Sequence, residues 1–102
     1  MIDRWTSYRD FQFDSNQAEL RASDTNQVSE IALYMKASPS LKVALDGSME
    51  PRNQDLSNQR VSTVRAALIK AGVPASKIQT ATFDDRTLTR DGRVAVLIRT
   101  AN

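Results

Sequence analysis

The sequence predicts a fold of the α/β class, an α+β two-layer sandwich ordered β-α-β-α-β-β, with two helices packed on one face of a four-stranded mixed sheet. Three observations predict it. Apolar residues recur at period two in short stretches, they recur at helical spacing in two longer ones, and the two kinds of stretch alternate along the chain until its last part. With 102 residues, 40% of them hydrophobic, the chain holds one such domain and not two.

Residues 1–7 show no clear period and read as an N-terminal extension, which leaves 8–102 as the domain. Tyr8 to Phe13 reads as the first strand, with Phe11 and Phe13 on one face, and Asp14 to Gln17 breaks it. Ser23 is placed to cap a helix, because its hydroxyl can accept from the orphan amides of the turn that follows. Val28, Ile31, Ala32 and Met35 then fall on one helical face, and this helix must end before Pro39, which pushes its predecessor out of the α region. Leu41, Val43 and Leu45 alternate with Lys42, Ala44 and Asp46 as a half-buried strand closed by Gly47.

After a loop stiffened by Pro51, a second helix runs from about Gln54. Val61, Val64 and Leu68 form its inner face with Arg60 beside them, and it stops at Gly72 with Pro74 just beyond. Ile78 to Phe83 is the third strand. Arg93 to Ile98 is the fourth, almost continuously apolar and so expected either to be central or to be covered on one face by helices. Asp84 to Gly92 forms a polar turn between them.

Composition narrows the function. The chain has no cysteine and no histidine, which removes Ser-His and Cys-His nucleophiles and the usual zinc ligand sets. Neither an enzyme activity nor a metal or cofactor is expected. The net charge of +2 comes from 14 basic and 12 acidic residues that interleave, as in Arg90-Asp91-Gly92-Arg93. No concentrated basic stripe exists, and only 6% of residues are aromatic, so nucleic acid is not the expected partner. There is neither an apolar run long enough to span a bilayer nor a charged-then-apolar leader, so if the parent protein is exported this chain is an excised domain of it.

Several stretches, in order, resemble the OmpA-like family of peptidoglycan-associating domains. Phe13-Asp14-Ser15-Asn16-Gln17-Ala18-Glu19-Leu20 is similar to that family's first strand and turn, and Val28 to Pro39 to its first helix. Leu56-Ser57-Asn58-Gln59-Arg60 resembles its Leu-Ser-x-x-Arg helix start. Ala71-Gly72-Val73-Pro74-Ala75-Ser76-Lys77-Ile78 resembles the exit from that helix, and Arg93-Val94 the end of an Asn-Arg-Arg-Val motif. The resemblance implies a non-catalytic module of the periplasm or cell envelope that grips the diaminopimelate residue of the peptidoglycan stem peptide. In such a module a carboxylate answers the ligand's ammonium and an arginine fork its carboxylate.

Carried over by position, the resemblance assigns ligand contacts to Arg60, Glu50, Asn53, Asn16 and Arg93. The loop departs from the family pattern: Gly47-Ser48-Met49-Glu50 stands where Gly-His-Thr-Asp is usual, the span from Glu50 to Asn53 is shorter, and Asp91-Gly92 replaces Asn-Arg. Glu50 keeps the charge with its carboxylate displaced by about 1.5 Å, one carbon-carbon bond. The same departures leave open a degenerate scaffold that no longer binds the wall and joins another envelope protein instead.

Each residue also has a plainer role. Arg60 could pair with Asp55 or Glu50, Glu50 could be a solvated surface charge, Met49 a gap-filler, and Asn16 and Asn53 could serve their own turns, Asn53 as a helix cap. Asp84-Asp85 lacks the further oxygen ligands a calcium site needs. Trp5 and Tyr8 are either an exposed anchor or rings folded back on a sheet edge.

Overall fold

A computed structural model describes residues 5–14, 17–47, 54–80 and 93–100. Its elements are strand β1 (Thr6–Gln12), helix α1 (Asp24–Ala37), strand β2 (Leu41–Gly47), helix α2 (Gln54–Lys70), strand β3 (Ile78–Thr80) and strand β4 (Arg93–Thr100), with one 3-10 turn at Ala75–Lys77. The strands lie in the order β1-β4-β2-β3. β4 runs antiparallel to both β1 and β2, whereas β3 is parallel to β2. Parallel neighbours need a crossover, which α2 supplies.

The core lies between the helices and one sheet face. Val28, Ile31, Ala32 and Met35 of α1 and Val64 and Leu68 of α2 join Phe11, Leu41, Val43, Leu45, Ile78, Val94 and Val96 in one cluster. The expected face of α1 is therefore the buried one, and β4 is central, one of the two placements its apolar run predicts. Phe13 continues the alternation past the end of β1 and is buried beside Phe11.

Four expectations need correction or refinement, and part of a fifth lies outside the described residues. β1 starts at Thr6, not Tyr8, because Thr6 and Ser7 pair with Ile98 and Leu97 before a register shift between Ser7 and Arg9. A bulge of this kind disrupts the two-residue period that sequence reading depends on. Ser23 does not cap α1: its backbone is already helical (φ −65°, ψ −24°) and its hydroxyl makes no capping bond. The role passes to Asp24, whose carboxylate accepts from the Arg21 amide at 3.3 Å, the reciprocal half of a capping box.

β2 is not half-buried. On its outer side Ala44 and Asp46 are 0% and 1% exposed, and of that side only Lys42 is exposed. A buried carboxylate requires a polar neighbour, and Asp46 does interact with one. On α2 the buried line runs Ser57, Arg60, Val64 and Leu68, with Val61 only half-buried. The described part of β3 ends at Thr80, and Ala81 to Phe83 and the Asp84 to Gly92 turn fall outside the described residues.

The end of α2 shows why the sequence there is so readable. The Val73 amide donates to the Leu68 carbonyl and the Gly72 amide to Ile69, both at 3.0 Å. This Schellman pair needs a left-handed residue, and Gly72 supplies it with φ 109°. Val73 and Leu68 are both buried, the apolar contact that accompanies the motif.

Candidate functional site

The strand register brings three chain segments to one end of the sheet. Gln12, near the end of β1, pairs with Arg93 at the start of β4, and Gly47 at the end of β2 pairs with the next residue, Val94. α2 packs onto this end unusually closely. A Cβ built on Gly47 would stand 2.8 Å from Val61 Cγ2 and 3.1 Å from the Ser57 carbonyl oxygen, so only glycine lets strand and helix approach this far.

Arg60 lies one turn beyond Ser57 and is 4% exposed. Its Nε donates to the Gln17 carbonyl at 2.8 Å and its Nη2 to the Asp14 carbonyl at 3.1 Å. The guanidinium carbon sits 5.4 Å from the centroid of the Phe13 ring. These contacts use one edge of the planar fork, Nε with Nη2, to hold the segment that follows β1. A buried guanidinium with charge-assisted bonds to two carbonyls and an aromatic ring beneath it has a fixed plane and direction.

One helical turn further along, Thr63 Oγ1 lies 2.7 Å from the Ala18 carbonyl and 2.9 Å from its own helix's Gln59 carbonyl. Asp14 also forms an ion pair with Arg21, closing the same segment on itself. The sequence does not single out Gln17, Ala18 or Thr63 as site residues. A threonine three residues after a motif arginine is the one available signal, and taken alone it is indistinguishable from a surface helix position.

The structure thus brings Arg60 to the sheet end at which β2 closes with Gly47. Glu50, Asn53 and Asn16 lie outside the described residues. Arg93 is at the same end of the sheet, but strand alternation puts its side chain on the face opposite Val94 and hence opposite α2. There its Nη1 stands 3.6 Å from the Asp10 carboxylate, with both side chains about one-third exposed. Arg60 and Arg93 therefore do not converge on one point.

Trp5 and Tyr8 fold back onto the domain. The Arg99 guanidinium lies 4.6 Å from the centroid of the Trp5 ring, and the Tyr8 and Tyr34 rings meet at 5.4 Å. Among the described residues no group of three or more His, Cys, Asp or Glu side chains is placed to hold a metal ion.

Residues 12–96 match the OmpA family. The chain belongs to that family. The probable lipoprotein YiaD of Escherichia coli is 36% identical over 73 residues. That alignment takes in 67% of this chain but 33% of YiaD, so the chain spans about a third of the length of that relative. The peptidoglycan-associated lipoprotein of Burkholderia pseudomallei superposes with a TM-score of 0.74 at 18% identity, covering 89% of this chain and 90% of that one. The C-terminal domain of Helicobacter pylori MotB gives 0.75 at 14% identity, covering 92% and 86% respectively. At such identities these two likenesses establish the fold alone.

Proposed function

We propose that this OmpA-family domain is a non-catalytic binding module that attaches a cell-envelope protein to the wall through the diaminopimelate residue of the peptidoglycan stem peptide. The observation that supports this reading best is the buried Arg60 guanidinium, fixed by two backbone carbonyls at the sheet end where β2 closes with Gly47. The side chain of that diaminopimelate ends in an ammonium and a carboxylate, and its recognition calls for one fork and one anion held apart at fixed distance.

The Arg60 guanidinium then answers the carboxylate of the ligand. On this reading Glu50 meets the ammonium, and Asn53 and Asn16 supply neutral donors and acceptors around the stem peptide. Arg93 stays outside the contact set, since it pairs with Asp10 on the other sheet face. The names of the relatives agree with an envelope location: one is called a peptidoglycan-associated lipoprotein, another a probable lipoprotein, and MotB structures are of a periplasmic domain.

A second reading is a scaffold that has lost the wall and binds another envelope protein. It is favoured by the bonds from Arg60 to the domain's own loop, which a purely structural arginine would also make. A pull-down on purified sacculi separates the two. The first reading expects wild type to sediment with sacculi, Glu50→Gln to lose most of that binding while staying folded, and Glu50→Asp to hold or improve it. A folded wild type that stays in the supernatant decides for the scaffold.

A further inference from the structure

Arg60 does not hold the segment after β1 alone. It reaches the Asp14 and Gln17 carbonyls, and Thr63, one turn along the same helix, reaches the next carbonyl in line, that of Ala18. The three acceptors are 43 to 46 residues away in sequence from their donors, so the contacts join two distant parts of the chain. A hydroxyl has one proton to donate, and at Thr63 the choice lies between Ala18 at 2.7 Å and Gln59 at 2.9 Å. The Gln59 carbonyl belongs to the α2 ladder and has a backbone partner within reach. Ala18, which lies between the strand and α1, gains more from the bond.

We propose that Thr63 is a positioning residue for the Arg60 site, forming with Arg60 a two-point clasp that fixes Asp14, Gln17 and Ala18 against α2 and thereby sets the direction of the guanidinium. This rests on the wall-binding reading given above. The direction of the Arg60 guanidinium depends on where the carbonyls it holds are placed. The bond from Thr63, on the same helix, to the neighbouring Ala18 carbonyl limits how those carbonyls can move, which is how a supporting residue sharpens a binding group it does not touch.

The test uses the whole 102-residue chain, labelled with ¹³C and ¹⁵N, as wild type, Thr63→Val and Thr63→Ser. Valine keeps the shape and removes the donor, while serine keeps the donor. Two quantities are read: the carbonyl ¹³C shift of Ala18, which reports the hydrogen bond, and the affinity for a stem peptide containing meso-diaminopimelate. Thr63→Val is expected to move the Ala18 carbonyl resonance upfield and weaken peptide binding by about two- to tenfold, the size of one net hydrogen bond. Thr63→Ser is expected to restore both.

An unmoved Ala18 resonance in Thr63→Val overturns the clasp, and a moved resonance with unchanged affinity overturns its positioning role. In either case the wild type still binds, and the wall-binding reading survives. A wild type that binds no peptide removes that reading and this inference with it.

Discussion

Replacing Gly47 by alanine probes the closest approach between sheet and helix. The new methyl would meet Val61 Cγ2 at 2.8 Å, the Ser57 carbonyl oxygen at 3.1 Å and Ser57 Cβ at 3.6 Å. Carbon atoms in contact sit at about 3.5–4.0 Å, so the first of these demands movement. Val61 is β-branched and stiff at χ1, and the Ser57 oxygen is part of the α2 backbone, so neither can turn aside cheaply. The helix must lift by several tenths of an ångström over a core that includes Val64 and Leu68, both 0% exposed.

Overpacking of that kind costs about 1–3 kcal/mol. At roughly 4–8 °C per kcal/mol for a domain of this size, Gly47→Ala should melt about 5–20 °C below wild type. Urea unfolding followed by circular dichroism gives the free energy directly. The Val61→Ala change removes the clashing methyl, so the double variant should be less destabilised than the sum of its parts. A Gly47→Ala domain within about 0.5 kcal/mol of wild type, the range of an ordinary surface change, would show that β2 and α2 are not this close.

Leu68→Ala should cost about 2–5 kcal/mol in the same assay, as a large-to-small change at a fully buried position. Gly72→Ala should cost about 1–2 kcal/mol, the strain of a positive φ on a residue with a side chain. That cost comes from the backbone rather than from crowding, because the nearest atoms are the mobile Cε and Nζ of Lys36 at 3.2 Å; Gly72→Asn should therefore recover part of it. Asp10→Asn should change stability by less than about 1 kcal/mol, since its ion pair with Arg93 is long and partly solvated.

Most of the fold was legible because period and punctuation agree. Gly72 and Pro74 mark the end of α2, Pro39 the end of α1, and the apolar run of β4 its buried place. What was not legible depends on neighbours distant in sequence. Ala44 and Asp46 alternate with the core residues of β2 and so look like the wet side of a strand, yet both are buried. Ser23 looks like a cap because capping depends on a backbone angle that composition does not reveal. In the candidate site, the place of Arg60 on α2 was readable from its motif, but its bonds to Asp14 and Gln17 are not, and Thr63 gave no sign of its reach to Ala18. Arg93 was assigned by motif alone, and only strand alternation reveals which face it occupies.

The most direct test of Arg60 as the carboxylate fork is a titration of the ¹⁵N-labelled domain with two stem peptides, one carrying meso-diaminopimelate and one carrying lysine, which lacks the side-chain carboxylate. Saturable shifts of the Arg60 Nε–H resonance and of the Gln17 and Ala18 amides are expected with the first peptide and little change with the second. Those shifts should be lost in Arg60→Lys, whose point charge cannot make the paired in-plane bonds of a guanidinium. Equal responses to both peptides, or none from the Arg60 side chain while the domain binds, would contradict the role of Arg60 as the fork.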